Sequence, residues 1–273
     1  MHNHRTHALT ASVLALLVML VSCLVHTTRA AHAVDDPAAL AASAPLPSGP
    51  EGDLISYGRL LMTDSQKYLP QNINAGMSCA ACHVDAGTKA HGGSFLGIYA
   101  KFPQWNKRAK RFITLQDRLE ECFLYSMNGT PPAPYSREIT AMTAYIAWLS
   151  RGAIVGQGFP NQGFVTVSPP NPPDATNGAR IYAAQCETCH GADGAGNPTA
   201  GFPPLWGPKS FNDGAGMNTK MASFVRANMP FGKAGTLSDQ EAADVSAFVL
   251  SHARPHFDRE RLISMPSEPA GFF

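Results

Sequence analysis

The 273-residue chain holds 21 Lys and Arg against 20 Asp and Glu, a formal net charge of +1, and six cysteines. Removing the first 33 residues, read below as an export signal, deletes Arg5 and Arg29 and no acid, which leaves a net charge of −1. Near-neutrality excludes nucleic acid as the partner, and the remaining length predicts two small domains rather than one.

Residues 1–33 start with His and Arg, continue in an apolar run from Ala8 to Val25 and end in Ala31-His32-Ala33. A basic start, an apolar middle and small residues at the cut predict a secretory signal peptide, cleaved so that the mature chain begins near Val34. The run is just long enough for a membrane anchor, but the Ala-x-Ala site argues for removal. Leu20-Val21-Ser22-Cys23 also resembles a bacterial lipoprotein box, so membrane attachment is expected only if Cys23 is lipidated. Residues 34–50, rich in Ala and Pro, read as a disordered leader.

Residues 51–152 form the first predicted domain. Its opening helix carries Gly58-Arg59-Leu60-Leu61-Met62, where a glycine lets another helix cross closely. Next comes Cys79-Ala80-Ala81-Cys82-His83, the attachment signature of a c-type haem. Two thiols at that spacing reach two vinyl groups on one porphyrin edge, and the imidazole of His83 swings beneath the iron. A zinc site or redox dithiol would need further cysteines or histidines at ligand spacing, and the chain has none there. Between positions 101 and 118, Lys101, Lys107, Arg108, Lys110, Arg111 and Arg118 stand against one acid, Asp117, a local positive patch. It reads as a solvated face, as partners for haem propionates, or as an anion site in which arginine forks hold an oxyanion. Ser126 and Asn128 would add neutral donors. Ser136 caps a closing helix whose Ile139, Met142, Tyr145, Ile146 and Leu149 share one face and which stops at Gly152.

Residues 153–175, rich in proline and glycine, read as an extended connector across the surface. Residues 176–256 then repeat the pattern. Gly178-Ala179-Arg180-Ile181-Tyr182 opens a helix, Cys186-Glu187-Thr188-Cys189-His190 is a second attachment motif, and Ser238 with Glu241 makes a capping box before Ala242, Val245, Phe248 and Val249. Residues 257–273 are a tail. No alternating strand pattern competes, so the expected fold is all-α: two class I cytochrome c-like domains in tandem behind a cleaved signal peptide. Two covalently bound haem c groups are expected, on Cys79 and Cys82 and on Cys186 and Cys189. Covalent haem and an export signal together place the protein in a bacterial periplasm.

Each iron needs a ligand opposite its histidine, commonly methionine in electron carriers. Met229, in a Met-Pro loop 39 residues beyond His190, is the candidate for the second iron, with Met217 and Met221 as rivals. The same 39 residues beyond His83 lead to Cys122. Four attachment cysteines and Cys23 account for the others, so Cys122 is an unpaired thiol in an oxidising compartment. It reads either as a thiolate ligand to the first iron or as a buried, inert thiol with Met127 in the ligand position.

Several motifs carry a family resemblance: Gly58-Arg59-Leu60-Leu61, Ser78 through His83 with Asp85-Ala86-Gly87-Thr88, Thr114-Leu115-Gln116-Asp117-Arg118, Cys122 with Ser126-Met127-Asn128-Gly129, Trp206-Gly207-Pro208 and Asn228-Met229-Pro230. Together they resemble the dihaem cytochrome c thiosulfate dehydrogenase family over roughly residues 51–256. The resemblance implies oxidation of two thiosulfates to tetrathionate, in some members reversibly, with two electrons passing from haem 1 through haem 2 to an external acceptor, a small cytochrome or high-potential redox protein. It implies His83 and Cys122 on iron 1, His190 and Met229 on iron 2, and Arg108, Arg118 and Ser126 beside the active haem, with Arg111 competing for the place of Arg108. It also implies a transient Cys–S–sulfonate intermediate on Cys122. Some members carry a lysine beside the haem 2 methionine as a rival ligand; Asn228 stands there in this chain, so no ligand switching is expected. The competing reading is a dihaem electron carrier or electron-transfer subunit with no substrate of its own, which predicts methionine on both irons and no anion pocket.

Overall fold

The computed structural model describes residues 36–258; the expected signal peptide and most of the expected tail lie outside the described residues. Nine α-helices are seen there: α1 (Pro37–Ser43), α2 (Pro50–Thr63), α3 (Ser65–Tyr68), α4 (Leu115–Tyr125), α5 (Arg137–Trp148), α6 (Ala175–Gln185), α7 (Glu187–His190), α8 (Met217–Asn228) and α9 (Asp239–Ser251). None is long and apolar enough to cross a membrane.

The two halves repeat one crossing. In the first, α2 meets α5, and a Cβ on Gly58 would overlap the carbonyl oxygen of Ala141. In the second, α6 meets α9, and a Cβ on Gly178 would overlap the carbonyl oxygen of Asp244. Backbone-to-backbone approach at these points is why neither position tolerates a side chain. The closing helices begin as their sequences predict: Ser136 accepts from the Ile139 amide at 3.3 Å, and Ser238 and Glu241 form a reciprocal capping box. Ile139, Met142 and Ile146 of α5, together with Leu61 and Met62 of α2, are essentially sealed from solvent and form the centre of the first core.

The all-α expectation needs one correction. Gln104–Asn106 (β1) pairs antiparallel with Arg111–Ile113 (β2), Trp105 opposite Phe112. Each strand is three residues long, too short for alternation to register in the sequence. The turn between them is built by Asn106, whose Oδ1 accepts from the amides of Arg108 and Ala109 at 2.9 and 3.1 Å.

One segment read as disordered is not. Within the expected disordered leader, α1 is capped by Asp36, which accepts from the Ala38 amide, and it buries Ala38 and Ala41. The connector is partly built into both domains: Phe159 is buried in the first core, while the amides of Ser168 and Asn171 donate to Asp239 and Gln240 at the start of α9. The C-terminal segment also folds back, with Phe257 buried and its amide donating to Asp213.

Buried side chains tie the halves together. Asn212, fully buried, donates through Nδ2 to the Leu124 carbonyl at 2.8 Å. Asn228, also buried, donates to the His91 carbonyl at 3.1 Å. The Gly76 amide donates to the Lys209 carbonyl at 2.7 Å. A buried polar contact of this kind is costly to break, so the two domains hold a fixed relative position.

Candidate functional site

Each attachment motif forms a tight turn that aligns its two cysteines and histidine. In the first, the Cys82 and His83 amides both return to the Cys79 carbonyl; in the second, Cys189 and His190 return to Cys186. The fully buried Ser65 orients the first pair, donating to Cys79 Sγ at 3.3 Å and accepting from the Cys79 amide at 3.1 Å.

Both histidines are prepared for a metal. Nδ1 of His83 faces the Gly93 carbonyl, and Nδ1 of His190 faces the Pro203 carbonyl at 3.0 Å. A carbonyl only accepts, so Nδ1 carries the proton and the Nε2 lone pair is left free to bind iron. Burial pushes the His83 pKa down to about 4 and lowers that of His190 as well, so both rings are held in the neutral, ligating form. Phe95 stacks on His83 at 4.2 Å and fixes its plane.

A cavity of about 580 Å³ opens over the second motif, lined by Cys186, Cys189 and His190 on one side and by Met217, Met221 and Met229 on another. All three methionines considered for the second iron therefore face the same space. Ala80, Ala81 and Cys82 of the first motif also line it, so the wall of the second site is the attachment turn of the first. Paired thiols, a free imidazole nitrogen and a thioether-lined apolar cavity fit a covalent haem.

In the first half, α4 carries the counterpart. Thr114 and Asp117 form a capping box that fixes its start. Arg118, Cys122 and Tyr125 then fall at i, i+4 and i+7, one face of the helix. That face is turned toward the attachment turn: Cys122 lies close enough to help raise the pKa values of Cys79 and Cys82, and Arg118 close enough to help lower that of His83. Arg118 is held more firmly protonated, chiefly by Cys122 beside it and further by Glu121. Met127, the rival of Cys122, is buried in the core, and its carbonyl takes the amides of Asn74 and Ala75.

The hairpin β1–β2 brings the remaining charges. Asn106 Nδ2 donates to both Glu121 oxygens at 2.9 and 3.0 Å, docking the hairpin onto α4. The Arg108 guanidinium consequently lies 4.1 Å over the Tyr125 ring. Arg111, its competitor, pairs instead with Asp117 at 3.3 Å. Glu121 sits 3.5 Å from Arg118; burial raises its pKa, against the opposing pull of Arg118 and Arg108. Ser126 ends α4 and is half-buried, whereas Asn128 turns its amide oxygen toward Asn212 of the second domain.

Asn106, Glu121 and Tyr125 were not singled out from sequence. Tyr125 carried a usable signal, its i+3 spacing from Cys122, but an aromatic on an amphipathic helix reads first as core. Asn106 and Glu121 are joined across 15 residues by a turn no pattern announced.

Residues 66–155 match the family model "SoxA/TsdA, cytochrome c domain", and residues 173–249 match "Cytochrome C oxidase, cbb3-type, subunit III". The thiosulfate dehydrogenase of Stutzerimonas stutzeri is 43% identical over 220 residues, covering 78% of this chain and 72% of the relative. That of Allochromatium vinosum is 41% identical over 240 residues, covering 83% and 89%. Among solved structures, the thiosulfate dehydrogenase (TsdBA) of Marichromatium purpuratum superposes with a TM-score of 0.75 at 33% identity, over 82% of this chain and 52% of that one. Two cytochrome c domains, haem-ready histidines and relatives aligned along most of the length converge, and the chain belongs to the thiosulfate dehydrogenase family.

Proposed function

We propose that the chain is a periplasmic thiosulfate dehydrogenase that joins two thiosulfates into tetrathionate at the first domain and exports two electrons through the second. The observation that carries this reading is the shared α4 face of Arg118 and Cys122, turned toward Cys79 and Cys82, with Arg108 brought alongside by the hairpin. A pure electron carrier has no use for a thiol flanked by arginines.

Thiosulfate is a dianion, and two dianions at about 4 Å repel by roughly 4 kcal/mol even at the dielectric of water. Arg108 and Arg118 offset that repulsion and orient the sulfonate groups by charge-assisted hydrogen bonds. The outer sulfur of the first thiosulfate bonds to the Cys122 sulfur, giving Cys122–S–S–SO3⁻ and releasing two electrons. The second thiosulfate attacks the outer sulfur of this adduct, forming tetrathionate and returning Cys122 as thiolate. Charge balances in both steps, and no proton is required. Ser126, one helical turn beyond Cys122 at the end of α4, supplies a neutral donor beside it. The two haems, one on Cys79, Cys82 and His83 and the other on Cys186, Cys189 and His190, supply the electron sink and exit. In this reading Cys122 would be a protein ligand of the first iron and Met229 of the second. A small cytochrome or other high-potential redox protein takes the electrons.

The test is a thiosulfate titration of the purified dihaem protein, with the haem spectrum followed and tetrathionate quantified. Reduction of both haems with stoichiometric tetrathionate is the expected result. No spectral response at millimolar thiosulfate would overturn the reading. Intact mass of the exported protein should equal residues from about Val34 onward plus two haems, without lipid on Cys23.

A further inference from the structure

Tyr125 sits in the first domain's site, and none of the roles above uses its hydroxyl. The residue is 2% exposed, and its hydroxyl hydrogen has no acceptor among the described residues, Arg108 being placed only to donate to the oxygen. Its ring is clamped from several directions. The Arg108 guanidinium lies 4.1 Å from it, the Phe257 ring 4.3 Å, and Gly214 of the second domain approaches so closely that a Cβ there would stand 2.8 Å from Tyr125 Cδ1. The Tyr125 carbonyl also accepts from the Asn212 amide at 3.3 Å. Residues from both domains and the C-terminal segment therefore fix a phenol whose donor capacity is left unused.

An unpaired buried hydroxyl is a cost to stability unless something fills it. Arginine carries donors only, so neither Arg108 nor Arg118 offers the phenol hydrogen an acceptor. Glu121, the nearby carboxylate, is already engaged by Asn106 on both oxygens and faces Arg118. What the arrangement lacks is an anionic oxygen between two guanidinium groups. We propose that the Tyr125 hydroxyl donates a hydrogen bond to a sulfonate oxygen of thiosulfate bound between Arg108 and Arg118, as a further donor for the substrate anion. The inference deepens the thiosulfate reading and rests on it. A rigid, neutral donor adds direction to what two cations hold by charge: it selects a tetrahedral oxyanion over a plain halide.

Tyr125→Phe deletes the oxygen and keeps the ring that Arg108 and Phe257 grip. The dihaem variant should show a KM for thiosulfate raised roughly ten- to a hundredfold, the range for losing one hydrogen bond to a charged group. Its kcat should stay within a few-fold. The rise in melting temperature that thiosulfate gives the parent should be lost at the same concentration, while the melting temperature without thiosulfate is equal or higher, because an unpaired polar atom has been removed. An unchanged KM overturns the proposal. So does a melting temperature that falls without substrate, which would mark the hydroxyl as structural. An unchanged KM with a shifted haem 1 midpoint potential would assign the donor to a haem propionate and likewise overturn it. In each case the parent's own response to thiosulfate is untouched, so failure here is separate from failure of the thiosulfate reading.

Discussion

The two domains share a scaffold and differ in what hangs on it. Both cross their first and last helices at a glycine, Gly58 on Ala141 and Gly178 on Asp244, and both hold a histidine neutral against a backbone carbonyl. Beyond that frame they part. Thirty-nine residues past its histidine the second domain presents Met229 in an apolar cavity, and the first presents Cys122 on a helix face with Arg118. The first domain also inserts the hairpin that delivers Arg108. Under the proposed function, one duplicated haem fold acquires a reaction by exchanging a thioether for a thiol and adding a charged flap, while the other copy keeps the features of an electron carrier.

The sharpest way to break this comparison is to make the first domain resemble the second. Cys122→Met should keep both haems, since Cys79, Cys82 and His83 are untouched, and should raise the midpoint potential of haem 1, because a thiolate stabilises ferric iron relative to a thioether. Tetrathionate formation should fall by about a thousandfold or more, as expected when a covalent nucleophile is removed. A variant that still forms tetrathionate near the parent rate would end the nucleophile assignment.

Next in size is the charge on the same face. If Arg118 holds the substrate as proposed, Arg118→Ala removes a charge-assisted contact worth about 1.5 to 3 kcal/mol and should lower kcat/KM roughly ten- to a hundredfold. Lys101, in the same basic stretch but anchored at the Gly97–Gly158 contact, serves as the control, and Lys101→Ala should change kcat/KM by less than about twofold. Equal losses in both variants would replace a binding site by a diffuse attractive field.

The shared scaffold can be tested for equivalence. Gly58→Ala and Gly178→Ala each press a methyl group into a facing carbonyl that belongs to a helix and cannot swing aside. Each should lower stability by about 1 to 3 kcal/mol in denaturant melts, the range for overpacking. Loss from only one of them would mean that the crossings are not equivalent.

That equivalence was the most legible part of the sequence. The glycines, the capping residues Ser136 and Ser238, and the two attachment motifs are local signals, each with its own physical cause, and the structure places them as those causes require. The hairpin was not legible, because three-residue strands carry no period and its stability comes from Asn106 reaching Glu121. Helix α1 was missed for a different reason: alanine and proline suggested disorder, although Asp36 followed by Pro37 is a cap and first-turn signal in its own right. The site divided the same way. Cys122 and Arg118 could be paired by helical spacing, whereas the choice of Arg108 over Arg111 depends on which arginine Asp117 already holds.

The smallest effect on turnover, and the one that separates electron exit from chemistry, belongs to Met229. It lies one residue beyond α8 and lines the second cavity together with Met217 and Met221. The three are not equivalent: Met217 and Met221 are on α8, whereas Met229 is in extended backbone directly after Asn228, which the His91 carbonyl holds in place. A side chain on a pinned, extended segment can be aimed into the cavity without disturbing a helix. Met229→Gly should therefore abolish the weak near-infrared band of methionine bound to ferric iron while leaving the mass of two haems. Thiosulfate should still be oxidised, slowed by about tenfold or less, because Cys122, Arg108 and Arg118 are intact and only the electron exit is impaired. Survival of the band would move the ligand to Met217 or Met221, and complete loss of tetrathionate formation would show that the second domain takes part in the sulfur chemistry itself.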